Sequence, residues 1–81
     1  MSSDKSNEER NRELDRQIGV RMRARREGIS FSQADVAHSI GISVGRLMAF
    51  EEGTERPTPE EYSDIADCLG ISLSYLFEEQ S

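Results

Sequence analysis

Gly41 divides the stretch from Ser32 to Glu51 into two segments, each too short to be a stable helix alone. Each carries its own start signal. Ser32 offers a hydroxyl to a free N–H of a first helical turn, and Asp35, three residues on, is favoured there by the helix dipole. Val36, Ala37 and Ile40 then recur at helical spacing. Gly41 takes the left-handed conformation that ends a helix without a side-chain clash, and Ile42 follows as a hydrophobic plug. Ser43 caps the second segment, whose inward residues are Leu47 and Phe50. Ala37 is small, as a steep crossing of two helices requires. The stretch predicts two short helices packed across a tight turn.

The rest of the chain reads as support for this pair. Leu14, Ile18 and Met22 follow at four-residue steps, an amphipathic helix from Leu14 to Arg26 with Arg21, Arg23 and Arg25 on its flanks. Gly28 is expected to terminate it, with Ile29 and Phe31 tucked into the core. After a loop closed by Gly53 and Pro57, Thr58-Pro59-Glu60-Glu61 is a helix start: a cap, Pro at the first position and Glu at the third. Tyr62, Ile65, Ala66 and Leu69 form its inward face, with Cys68 at the edge. Gly70 ends it, Ser72 caps a last helix, and Leu73, Leu76 and Phe77 are expected to close the core. No run alternates with period two, so the fold class is all-α, with five helices. Residues 1–12 contain no apolar residue after the initiator and are expected to be a disordered or frayed polar tail, leaving 13–81 as one domain.

Charge is unevenly distributed. The net charge is −6, yet residues 1–27 carry eight Lys/Arg against six Asp/Glu, and residues 28–81 carry two against ten. A nucleic-acid surface would have to draw on the few arginines, with the acids turned away to suppress indiscriminate phosphate binding. One cysteine excludes an intrachain disulfide, and one Cys with one His makes a metal site implausible. His38 lies on the solvent side of its helix with no nucleophile beside it. The chain has neither a Gly-rich phosphate loop nor a catalytic constellation, so no enzyme activity, cofactor or small-molecule ligand is expected. Without an apolar span or a signal-peptide core, no membrane association is expected and the location is cytoplasmic.

The two helices around Gly41 are a helix-turn-helix signature, a unit whose second helix can enter the DNA major groove. Gln33, Ala37, Gly41, Ile42-Ser43, Leu47, Glu51 and Gly53 resemble the pattern of the phage repressor and Cro type helix-turn-helix family. Ile18-Gly19, Met22 and Arg26 resemble its first helix. Pro57, Ile65-Ala66, Leu69-Gly70-Ile71-Ser72 and Tyr75-Leu76 resemble its fourth and fifth. The resemblance runs from Ile18 to Phe77 in unbroken order.

The resemblance implies a sequence-specific transcriptional regulator, a repressor, binding double-stranded DNA as a homodimer. It places Ser43, Val44, Gly45, Arg46 and Ala49 toward the bases. Gln33 would bridge a phosphate or brace the reading helix. Arg21, Arg23, Arg25, Arg56 and the helix start at Thr58 are the other phosphate candidates. Arg26 would pair inward with Glu51, and Tyr75 falls in the region of self-association. Of the groove residues, Val44 and Ala49 can only touch a thymine methyl, and Gly45 specifies nothing. Arg46 and, more weakly, Ser43 can hydrogen-bond to bases. Sparse direct readout leaves a larger share to DNA shape. The alternative is a helix-turn-helix turned to binding a regulatory protein partner through Val44, Met48 and Ala49, which the acidic total favours.

Overall fold

The structure is a computed structural model that describes the backbone of residues 2–78 and the side chains from Asn11 on. Five helices follow one another: α1 (Ser2–Gly28), α2 (Gln33–Ile40), α3 (Val44–Glu52), α4 (Pro59–Leu69) and α5 (Leu73–Phe77). The all-α expectation holds. α1 is helical from Ser2, through the segment read as a polar tail; Met1 lies outside the described residues. The apolar stripe that ties α1 to the core starts only at Leu14, and Ile18 and Met22 are its buried members.

Local signals set the helix ends. Ser32 accepts from the Asp35 N–H while Asp35 accepts from the Ser32 N–H, a full capping box. Thr58 and Glu61 repeat it at α4, with Pro59 opening the helix. Ser43 and Ser72 cap α3 and α5. α2, α3 and α4 each stop at a left-handed glycine, Gly41, Gly53 and Gly70. In each, the glycine N–H and the next N–H return to carbonyls of the last turn, so the freed acceptors stay satisfied.

α1 ends differently from the sequence reading. Gly28 is its last helical residue, and Ser30 takes the left-handed conformation at φ 64°. The Ser30 and Phe31 N–H groups bond to the Glu27 and Arg26 carbonyls in the same pattern that glycine makes elsewhere. Ile29 packs against the core, but Phe31 is exposed rather than tucked in.

Ile18, Met22, Val36, Ala37, Leu47, Phe50, Tyr62, Ile65, Ala66, Leu69 and Leu76 form the core. α1 and α3 approach each other closely at two glycines. A Cβ on Gly19 would stand 2.3 Å from the Glu51 carbonyl oxygen, and one on Gly53 would stand 2.7 Å from the Arg16 Cα. Position 19 needs glycine for contact, and position 53 for contact and for its left-handed conformation at φ 78°. Leu76 closes the base of the core, whereas Leu73 and Phe77, expected inside, are exposed. Phe77 meets Tyr62 edge to face with ring centroids 4.9 Å apart.

Candidate nucleic-acid interface

α3 shows its N-terminal half to solvent. Leu47, Phe50 and Glu51 face inward; Gly45 and Met48 are exposed and Ala49 half-buried on the side away from them, and Ser43 and Val44 are exposed at the helix start. Of the five residues assigned to the bases, Ser43, Val44 and Gly45 are exposed and Ala49 is half-buried. Apolar groups dominate this solvent-facing part, with Val44 and Met48 each about two-fifths exposed.

Arg46 is placed differently. Its Nε donates to Glu55 at 2.8 Å and its Nη2 lies 2.8 Å from the same carboxylate oxygen. Nη1 and Nη2 donate to the two oxygens of Glu61. The guanidinium also lies over the Phe50 ring, 5.0 Å from its centroid. Hydrogen bonds donated to Glu61 and then to Glu55 raise the Arg46 pKa further above an already high value. Glu61 is held below the usual carboxylate range by Arg46 and by the Thr58 backbone N–H. Base contact by Arg46 would require these bonds to break.

The phosphate candidates are also engaged. Gln33 donates through Nε2 to Glu51 Oε1 at 3.0 Å, the bracing role rather than an extended one. Arg21 donates to the Leu76 carbonyl at 3.1 Å and Arg25 to the Leu69 carbonyl at 2.8 Å, capping α5 and α4. Arg23 pairs with Glu27 one turn on. Arg56 forms a two-pronged pair with Asp15, at 3.1 and 3.2 Å, which raises its pKa. Thr58 is occupied as the α4 cap.

Arg26 and Glu51 meet at the junction of α1 and α3. Arg26 Nε and Nη2 donate to the two Glu51 oxygens at 2.7 and 3.2 Å, and Nη1 donates to the Phe31 carbonyl at 2.9 Å. Both side chains are at least nine-tenths buried. The Glu51 hydrogen bond is the main cause that raises the Arg26 pKa, against the lowering effect of burial. With Gln33 as a third member, this network joins α1, α2 and α3. Among the described residues, no buried side-chain N or O lacks a partner.

The sequence reading missed Glu55 and Glu61 as partners of Arg46. Nine and fifteen residues separate the pairs, across a turn, and no helical spacing signals such contacts. Among the described residues, no helix is long and apolar enough to cross a membrane.

Comparison with known proteins agrees with this architecture. A helix-turn-helix family model matches residues 22–76, from the last two turns of α1 into α5. An uncharacterized HTH-type transcriptional regulator of Sinorhizobium medicae is 30% identical over 66 residues, covering 82% of this chain and 48% of that protein. An uncharacterized transcriptional regulator in the ATPase CF(0) region of Rhodospirillum rubrum is 30% identical, covering 82% and 61%. The cryptic phage CTXphi transcriptional repressor of Vibrio cholerae is 39% identical over 59 residues, covering 73% and 53%. The chain spans about half the length of the curated relatives it matches. On the family match and on these identities, the chain belongs to the helix-turn-helix family.

Proposed function

We propose that this domain binds double-stranded DNA sequence-specifically, with α3 in the major groove, and that it acts as a transcriptional regulator. The carrying observation is the α2–Gly41–α3 unit. It presents Ser43, Val44, Gly45 and Met48 to solvent while Arg26, Glu51 and Gln33 hold α3 from behind. Relatives named as transcriptional regulators support the reading, and a named phage repressor supports the negative sign of regulation. A homodimer on a two-fold site suits a domain with few base-reading groups, because two half-sites multiply a modest preference. Val44 and Ala49 would touch thymine methyl groups and Ser43 a base edge, with DNA deformability supplying more of the preference.

The second reading, a module that binds a protein partner through Val44 and Met48, is favoured by the exposure of those two side chains on an acidic chain. Selection from a random DNA pool separates the two. Recovery of a reproducible motif with two-fold symmetry supports the DNA reading, and recovery of no motif at low salt moves the assignment to the partner-binding reading.

A further inference from the structure

A helix that enters a DNA groove profits from a long polar side chain, and α3 has one arginine, yet that arginine is fully engaged at its side. We propose that Glu55 and Glu61 set the DNA preference of this domain by holding Arg46 off the groove-facing surface of α3. They are specificity-determining residues that need not touch a base. The inference rests on the DNA-binding reading and adds to it the reason that reading is sparse.

The geometry carries the argument. A guanidinium pairs with the O6 and N7 of guanine through one of two donor edges, Nε with Nη2 or Nη1 with Nη2. Glu55 occupies the first edge and Glu61 the second. Phe50 covers one face of the group. Neither edge is available to a base while both carboxylates stay in place.

The Glu61 carboxylate is itself anchored, and so is the backbone that carries Glu55. Glu61 accepts the Thr58 N–H at 2.9 Å as part of the α4 capping box, so it is anchored at the helix start rather than free to swing. The Glu55 backbone N–H bonds to the Ala49 carbonyl at the end of α3, which ties the loop to the helix it controls. One arginine with two glutamates also leaves this flank of α3 with a net negative charge, which repels phosphate and discourages Arg46 from a backbone contact.

The test uses the full chain and DNA from the selection, titrated with the preferred site and its single-base variants at several salt concentrations. Glu55→Gln/Glu61→Gln keeps the α4 cap, because glutamine still accepts the Thr58 N–H, and removes both charges. It should bind more tightly and gain a new guanine preference, roughly tenfold or more, at one base pair per half-site. Arg46→Ala in this background should abolish the gain, whereas Arg46→Ala alone should leave the preferred sequence unchanged. Glu52→Gln/Glu60→Gln, two carboxylates not bonded to Arg46, should raise affinity evenly with no new preference. Glu55→Gln alone, in an exposed loop, provides the same comparison should the double variant fold poorly.

Loss of preference at one base pair in Arg46→Ala alone would overturn the inference, since Arg46 would then leave its partners and read. A gain in the double glutamine variant that survives Arg46→Ala would overturn it too, while leaving the DNA reading intact. If neither the native protein nor the glutamine variants select DNA, both fail together. DNA binding that appears only on release of Arg46 supports the inference.

Discussion

The two ends of α3 carry the same ions in opposite surroundings. At the C-terminal end Arg26 and Glu51 are buried, joined by two hydrogen bonds and braced by Gln33. At the N-terminal end Arg46 lies between Glu55 and Glu61 with side chains 38%, 41% and 18% exposed. Water and salt exchange readily with the second cluster and reach the first far less. Burial makes the first a fastener, because a single loss strands a charge in the core. Exposure makes the second a control on which groups Arg46 can reach. The backbone repeats the contrast: Gly19 presses against the C-terminal end of α3, while Gly45 at the other end has its nearest neighbour, Ser43 Oγ, 4.0 Å from where a Cβ would stand.

The contrast breaks most visibly at the buried pair. Arg26→Met should cost about 3–5 kcal/mol, a large part of the stability of so small a domain. Glu51→Gln should also destabilise, and the double change should cost less than the two together. A double-mutant cycle by urea titration gives the coupling, and strict additivity would mean that the pair does not act as one unit. Gly19→Ala comes next, at about 3 kcal/mol, the upper end of ordinary overpacking, because its methyl would meet backbone carbonyls that cannot rotate away. An unchanged thermal midpoint would show that α1 and α3 stand further apart than 2.3 Å of clearance implies.

Much of this architecture is legible in the sequence because its signals are local. Ser32 with Asp35, Thr58 with Glu61, and Gly41 and Gly70 act within a turn of the residues they cap, so their meaning survives without the fold. α1 shows the limit. Its glycine sits two residues too early, and Ser30 takes the left-handed position once Ile29 makes one more helical hydrogen bond, to the Arg25 carbonyl. Leu73 and Phe77 were hard to place because five residues are too few to define a helix face. The arginines were the least legible. Arg21, Arg25 and Arg56 find partners 55, 44 and 41 residues away, and sequence conveys a charge but not what its donors bond to. The Arg26–Glu51 pair was accessible only through resemblance to a family.

A smaller effect sharpens the contrast at the open end. Gly45→Ala should stabilise the protein by about 0.5–1 kcal/mol, since glycine costs a helix interior that much relative to alanine and no atom crowds the new methyl. The same methyl would stand on the surface proposed to meet DNA. Affinity for the selected site should therefore fall while the thermal midpoint rises. A rise in both would remove Gly45 from the contact surface, and a fall in both would mean that the first turn of α3 is more crowded than it is here.

The smallest expected effect separates the two clusters by pH. The Glu61 carboxyl lies below its ordinary value of 4.5, first because Arg46 donates to it and then because Thr58 does. A depressed carboxyl adds stability that is present above that ordinary value and is lost as pH falls through the folded one. Asp35, lowered by the Ser32 backbone N–H, contributes to the same acid limb, so the two must be told apart by substitution. Glu61→Gln should flatten part of the fall in thermal midpoint between neutral and acid pH, and Arg46→Ala should flatten a share of the same part. Added salt should shrink the Arg46 share, because these side chains are wet, while the Arg26–Glu51 coupling stays nearly constant. Parallel acid limbs in wild type and Glu61→Gln would show that Glu61 is not bonded to Arg46 in solution. Only Glu55 would then hold the guanidinium, leaving its Nη1–Nη2 edge open to a base, and the control proposed for the pair of glutamates would rest on one of them.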